Sequence, residues 1–580
     1  INTTLSTNMK PRDLQPYPIA PGTTALRART WDRLKFEIEY GLARGTTANS
    51  FVIKGDKKAL IDPPGSSFTD VFIAGLDSRF NVKLIEYVIL GHINPNRGET
   101  LKKLLELAPQ VTFVCSNPAA IALPAILERD DLKIITIKGD DSIDLGQGHI
   151  LKFILAPTPR WPDRMLTYDI KTQVLYSDKL FGCHVCGDQV FDEGWETYAE
   201  DRRYYFDCLM APAAKKIEAT IDKIAEYPIT LYATGHGPLV KYGLTELTNF
   251  YRQWCQQQSS QSLSVALIYA SAYGNTATVA QAIAAGITKA GVSVESINCE
   301  FVEPAEIKAA LEKCAGFIIG SPTLGGHAPT PIQTALGVIL STAEKTKLAG
   351  VFGSFGWSGE AIDLLETKLK DAGYKIGFEP IRVKFKPTEV TLKECEETGT
   401  DFAQAVKKAK KASIPKATVI EAKADRVEQA VGRIVGSMTI VTTQQGDLSG
   451  AMLASWVSQA TFNPPGLTIA VAKERAIESL MHKDGKFVLN ILEQGKHIPI
   501  MKQFLKPFTP GENRFVGINT EPAPNGCPIL TDSLAYLECN VESRMECGDH
   551  WLIYATVDSG KVFNPTGVTA VHHRKSGSHY

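Results

Sequence analysis

The sequence predicts a multidomain α/β protein, on three observations. The chain has 580 residues, and at roughly 100–200 residues per domain about three or four domains are expected. Two composition shifts divide it: the Gln/Ser-rich "WCQQQSSQSLS" at 254–264 and the Lys/Ala-rich "KKAKKASIPKATVIEAKAD" at 407–425 read as linkers or solvated helix ends. The segments so defined, 1–255, 263–410 and 425–580, differ in pattern: mixed strands and helices, then strand–glycine loop–helix units, then alternating strands.

Composition is 44% hydrophobic and 22% charged, ordinary for a globular chain. A net charge of −1 points to neither nucleic acid nor a polybasic membrane surface. No apolar run approaches the ~18 residues of a membrane span. The opening "INTTLSTNMKPRDLQPYP" is polar, without a signal-peptide core. Eleven scattered cysteines, an odd number, read as reduced thiols in the cytoplasm.

In the first segment, residues 44–65 read as a hairpin closed by a Gly-Asp turn. The apolar strand Val88-Ile89-Leu90 then runs into Gly91-His92, and a helix follows. The stretches "LKFILAPTPRWPDRMLTYD" (151–169), "VLYSDKLFGCHVC" (174–186) and "LYATGHGPLV" (231–240) follow in order. The pair Cys183 and Cys186 forms a CxxC with no second pair, weak evidence for zinc. Two unconnected thiols is the simpler reading, and a redox-sensing dithiol the alternative.

In the second segment, the strand "SVALIYA" leads into Ser271-Ala272-Tyr273-Gly274-Asn275-Thr276 and an Ala-rich helix. Hydroxyls and backbone N–H groups at a helix N-terminus suit a phosphate. No Lys accompanies them, which argues against a P-loop NTPase. A second loop carries Ser321, Pro322, Thr323, Leu324, Gly325 and Gly326; a third carries Ser354, Phe355, Gly356, Trp357 and Gly359. Three such loops after three successive strands share the edge where a doubly wound sheet binds ligands. The spacing and the "YGNT", "GSPT" and "GSFGWSG" loops resemble flavodoxin over about 263–410. That resemblance implies flavin mononucleotide (FMN), its phosphate in the first loop, with Leu324 and Trp357 nearest the isoalloxazine.

In the third segment, "GAMLASWVSQATFNPPGLTIAV" and "GDHWLIYATV" resemble the flavin-reductase-like split β-barrel. The resemblance implies FMN or FAD, reduced by hydride from NAD(P)H. It implies contacts from Ser455, Trp456, Ser458 and Lys473, and His550 as the catalytic, nicotinamide-side group.

The first segment in turn resembles the metallo-β-lactamase-like αββα domain of flavodiiron proteins. In order, the three segments resemble the class of that family with a C-terminal flavin reductase, found in oxygenic phototrophs, and within it the type with non-standard diiron ligands. The family's iron ligands are three carboxylates and four imidazoles, formally −3. The matching positions here are His92, Asn94, Asn96, Arg97, Arg160, Lys179 and His236. They hold two imidazoles, two amides and three cations, formally +3. Neither Arg nor protonated Lys has a lone pair to give iron, so a diiron centre is doubtful and no metal is expected. The cations are expected to replace the charge of the missing irons, with Asp163 and Asp178 as their partners, in a pocket that suits an anion.

The resemblance implies NAD(P)H-dependent electron transfer through flavins, supporting reduction of O2 to water in a photoprotective electron sink. A flavodiiron paralogue with an intact diiron site is the expected partner, in a homo- or hetero-oligomer. The alternatives are a flavin-only NAD(P)H oxidase or diaphorase module, and an anion-binding regulatory subunit.

Overall fold

Apolar side chains on both faces of Thr46–Lys54, followed by the turn at Gly55-Asp56-Lys57, build the first hairpin as expected. The structure is a computed structural model describing residues 12–32, 44–413, 421–506, 508, 511–574 and 576–577. These residues gather into two compact units. The first holds most of the chain up to Tyr374. The second holds Ala282–Val292 and the chain from Lys375 onward.

The first unit opens with β1 (Asp13–Ala20), β2 (Thr23–Thr30), β3 (Thr46–Lys54), β4 (Lys58–Ile61), β5 (Ile85–Ile89), β6 (Thr112–Cys115) and β7 (Ile134–Thr136). They form one sheet in chain order, antiparallel as far as β4 and parallel beyond it. A second sheet contains β8 (Ser142–Asp144), β9 (Ile150–Leu155), β10 (Met165–Asp169), β11 (Val174–Asp178) and β12 (Leu231–Thr234), in the order β12-β11-β10-β9-β8. Phe51, Ile61 and Ile89 of one sheet share a core with Phe153, Met165 and Tyr176 of the other. The outer face of the first sheet is covered by helices: Leu101, Leu104 and Leu105, one stripe of Gly98–Leu107, pack with Val88 and Phe113. This is the αββα layering.

Further along the same unit lie β13 (Ser264–Tyr269), β14 (Ser293–Asn298), β15 (Gly316–Pro322) and β16 (Leu348–Phe355). All pair in parallel in the order β14-β13-β15-β16, the doubly wound arrangement. The Gln/Ser-rich stretch before β13 is helical as far as Ser259, within the helix Leu244–Ser259.

In the second unit, the last turns of α1 (Asn275–Lys289) cross α2 (Glu389–Ser413). The contact is backbone on backbone. A Cβ at Gly286 would lie 1.9 Å from the carbonyl oxygen of Glu396, and one at Gly399 2.1 Å from that of Ile283. Thr400 Oγ1 donates to the Gly286 carbonyl at 3.1 Å. The Lys/Ala-rich stretch is therefore helix up to Ser413; residues 414–420 lie outside the described residues, and α3 (Glu421–Val431) follows.

Next come β17 (Thr439–Gln445), β18 (Leu448–Ala454), β19 (Val457–Thr461), β20 (Gly466–Ala472), β21 (Lys486–Ile491), β22 (Ala535–Cys547) and β23 (His550–Val562). They form one sheet in the order β18-β17-β21-β22-β23-β20-β19. The turn Gly446-Asp447 joins β17 to β18. Val441, Ile469, Phe487 and Ile553 close its core.

The crossing makes a prediction. Gly399→Ala must push two backbones apart, and overpacking of this kind costs about 1–3 kcal/mol. Calorimetry of the full chain is expected to show a lower melting temperature for Gly399→Ala than for Ala403→Gly at a neighbouring buried position of α2.

Candidate functional site

Three clusters of polar side chains stand out, one in each segment.

In the first, the chain leaves β4 at Asp62 and β11 at Asp178, both buried and both left-handed, at φ 52° and 46°. Aspartate tolerates that conformation better than most residues. Asp62 Oδ1 accepts from the Gly91 amide at 2.7 Å. A Cβ at Gly91 would meet Asp62 Oδ1 and Asp178 Cβ, each at 3.2 Å, so glycine lets the three loops close. Asn94 accepts from the Arg97 amide and caps the turn Pro95–Arg97, while Asn96 accepts from Ser66. That turn aims the Arg97 guanidinium between the carboxylates: Nη1 lies 3.3 Å from Asp62 and 2.6 Å from the His92 carbonyl oxygen, and Nη2 lies 3.2 Å from Asp178. Burial and the neighbouring Asp178 push the Asp62 carboxyl up to about 7. Burial also pushes Asp178 upward, but Arg97, Lys179 and His92 outweigh it and hold it below the usual carboxylate range.

The two imidazoles are engaged. His92 Nδ1 donates to Asp163 Oδ1 at 2.8 Å, and Asp163 Oδ2 accepts from the Ile93 amide. His236 donates from Nδ1 to the Thr47 carbonyl at 2.7 Å and accepts at Nε2 from Lys179 Nζ at 2.8 Å. Burial, then Lys179, holds His236 neutral, its pKa well below the ordinary value.

Arg160 Nη1 donates to Thr278 Oγ1 at 3.2 Å, in the first turn of α1. The adjacent Pro159 carbonyl accepts from Asn298, which anchors this loop at the end of β14. Asp163 pairs with His92 rather than with an intruding cation, whereas Asp178 does face Arg97. Two residues were not singled out from sequence. Asp62 has a faint signal, a carboxylate closing an apolar strand before Pro63-Pro64. Arg164, fully buried, donates from Nε to the Ala156 carbonyl, and its two outer nitrogens have no partner among the described residues. Burial pushes the Cys183 thiol up to about 12 and the Cys186 thiol up to about 11, which favours two inert thiols over a reactive dithiol.

The second cluster lies beyond β13, β15 and β16. Thr276 Oγ1 and Ser354 Oγ are 2.7 Å apart, the Thr323 amide donates to the Ser354 carbonyl at 3.0 Å, and Thr323 Oγ1 accepts from the Ala361 amide at 3.4 Å. The three loops are thus tied together. Ser271 Oγ accepts from the Ala277 amide, at the start of α1. Gly274 takes φ +85°, and Gly325 and Gly326 have open space where a Cβ would be. Asn275 opens α1, Ser321 and Pro322 are buried at the end of β15, and Phe355, Gly356 and Gly359 carry the third loop to the helix Glu360–Asp371. Around these loops Trp357 is 92% exposed, Tyr273 75% and Leu324 41%. Three uncovered apolar side chains beside backbone donors fit a flat heteroaromatic ring carrying a phosphate.

The third cluster lies in the second unit. Trp456 and His550 are 4.9 Å apart between ring centroids, and the Arg574 guanidinium sits 5.1 Å from the Trp456 ring. His550 Nδ1 donates to Asp549 at 2.7 Å, and the Lys473 amide to the Asp549 carbonyl at 3.0 Å. The Lys473 ammonium pairs with Glu546. Ser455 lines a cavity of about 470 Å3, whereas Ser458 lies on the exposed strand β19. The cavity also takes in Arg475, Lys506, Arg514 and the apolar side chains of Met438, Met452, Met501 and Phe504.

Three family models match in succession: the ODP family beta lactamase over residues 46–237, flavodoxin over 267–399, and the flavin reductase like domain over 431–578. Diflavin flavoprotein A 6 of Nostoc sp. is 66% identical over 98% of this chain and 99% of its own. Diflavin flavoprotein A 1 of Synechocystis sp. is 43% identical over 98% of each. The solved flavodiiron core of Flv1 from Synechocystis sp., metal-soaked, is 64% identical, covers 69% of this chain and 99% of its own, and superposes with a TM-score of 0.67. The chain belongs to the diflavin flavodiiron family. It is a flavin-binding oxidoreductase of three domain types, and none of its described helices is long and apolar enough to cross a membrane.

The family's iron pair does not fit the residues present. Iron needs anionic or imidazole donors with lone pairs to give. Here His236 uses both ring nitrogens within the protein, His92, with Nδ1 on Asp163, keeps only Nε2 to give, and a guanidinium lies between the remaining carboxylates. Among the described residues, no three His, Cys, Asp or Glu side chains are grouped to hold a metal ion.

Asp62 gives a pH prediction. Its folded pKa of about 7 exceeds the ordinary 3.8, so between those values the folded protein binds more protons than the unfolded chain. This group's contribution is complete below pH ~4 and is lost as pH rises through about 7. Melting temperatures across that range are expected to fall more steeply with pH for the parent than for Asp62→Asn.

Proposed function

We propose that this chain is the electron-delivering member of a flavin-based O2 reductase. NAD(P)H reduces a flavin of the reductase-like segment. Electrons pass to FMN at the loops of Ser271–Thr276, Ser321–Gly326 and Ser354–Gly359. O2 is reduced on a flavodiiron paralogue whose ligand set is intact, in a hetero-oligomer that acts as a photoprotective electron sink. The balance is two NAD(P)H, two protons and one O2 giving two NAD(P)+ and two water molecules. His550, held by Asp549 and packed near Trp456, is the group on the nicotinamide side. Ser455, Trp456, Ser458 and Lys473 are the proposed flavin contacts there.

One contrast carries this reading. The iron pocket is filled by its own side chains, Arg97 and Lys179, while the loops around Trp357 are left uncovered. A second reading, an anion-holding regulatory subunit, draws on one observation: the outer nitrogens of buried Arg164 have no partner among the described residues.

Purified full-length chain is expected to carry about two flavins and far less than two irons. Anaerobic NAD(P)H is expected to bleach both flavins. Oxygen uptake is expected to yield peroxide with the chain alone and water once the paralogue is added. Two irons per chain, with water produced by the chain alone, overturns the proposal. Failure of either nicotinamide to reduce the flavins leaves the regulatory reading.

A further inference from the structure

The cavity of about 470 Å3 in the second unit has two walls of different origin. One belongs to the reductase-like barrel: Met438, Met452, Leu453 and Ser455 beside β17 and β18, with Arg475 beyond β20. The other is α2, which follows the flavodoxin-like strands in the chain and contributes Glu397, Thr400, Asp401 and Gln404. The helix is held there by charge. Lys289, at the end of α1, pairs with Glu396 of α2 and lies 2.7 Å from Glu478. Arg544 of β22 reaches the same Glu478 at 2.7 Å. All four are buried or nearly so, and Glu478 adjoins Ile477, which lines the cavity. Beside them Glu397 pairs with Arg514 at 2.9 Å, both on the cavity wall.

The lining describes its ligand. The volume is that of a cofactor pocket. Methionine and phenylalanine surfaces suit a flat ring. Arg475, Lys506 and Arg514 suit a phosphate. Carboxylate and amide oxygens on α2 suit hydroxyls and ring N–H groups.

We propose that α2 is one wall of the reductase flavin site, with Asp401 and Gln404 as binding residues for the ribityl chain or ring of that flavin. This rests on the proposed function, in which the reductase-like segment holds a flavin, and it places that flavin in this cavity, whose wall includes Ser455 of the four proposed contacts. The flavin that first accepts electrons then depends on a helix outside the reductase-like segment.

The test counts acid-released flavin per full-length chain in two variants, with circular dichroism to confirm folding. Gln404→Trp fills the cavity from α2, and Leu453→Trp fills it from the barrel. Loss of one of two flavins in both variants is the expected result. Loss in Leu453→Trp but not in Gln404→Trp overturns the role of α2 and leaves the cavity reading standing. Two flavins in both overturns the cavity reading as well. If Gln404→Trp does not fold, FMN titration of apoprotein bearing Asp401→Ala decides. One of the two sites weakened about tenfold or more supports the proposal, a charge-assisted contact being worth that much; unchanged affinities overturn it.

Discussion

The guanidinium of Arg97 is wedged between two carboxylates that leave different sheets, Asp62 from β4 and Asp178 from β11. Alone, those carboxylates repel each other in a buried site. At an effective dielectric of about 20, two unit charges 4 Å apart interact by about 4 kcal/mol, so the attraction of each carboxylate to a guanidinium between them offsets their mutual repulsion. With the cation in place, both loops keep their left-handed turns and the Gly91 amide keeps its acceptor. The pocket is then close to neutral: Arg97 and Lys179 stand against Asp62, Asp163 and Asp178, with Asp62 titrating near 7. The positive charge supplied by metal in other members of the family is here part of the chain.

That substitution changes the chemistry open to the first domain. A metal pocket must keep lone pairs turned inward and exchange ligands. Here the guanidinium and the His236 ring are committed, and His92 is oriented from one side. The neutral imidazole of His236 accepts from Lys179 and donates to a carbonyl, and His92 is fixed by Asp163. Removing one member of such a buried pair strands its partner, at about 3–5 kcal/mol, which makes the filled pocket self-maintaining.

The fold was legible in the sequence because its signals are local. Strand alternation, the Gly-Asp turn after β3 and three glycine loops after three parallel strands lie within short windows. The pocket was legible in part. His92, Arg97, Lys179 and His236 were found by their places in an ordered pattern, but pattern does not say where a long side chain points. Arg160 reaches Thr278, and its loop is anchored at Pro159 to Asn298, more than a hundred residues away. Asp62 escaped notice because its meaning comes only from Gly91 and Arg97 folding against it. The helical character of 407–413 was hidden by its lack of large apolar residues; α2 is secured earlier, by Gly399 against Ile283 and by the buried ions around Lys289.

Those buried ions bear on electron transfer. Glu396 and the neighbouring Glu478 hold the Lys289 ammonium firmly charged despite burial, while Lys289 and Arg544 keep Glu478 well below the usual carboxylate range. Lys289 and Glu478, so paired, stay charged across the physiological range. The helix that ends at Lys289 begins at Asn275, in the loop that suits a flavin phosphate. Its fifteen residues span about 22 Å at 1.5 Å per residue. Paired this way, Lys289 ties the end of α1 to α2 and to the turn that lines the cavity, all within the second unit.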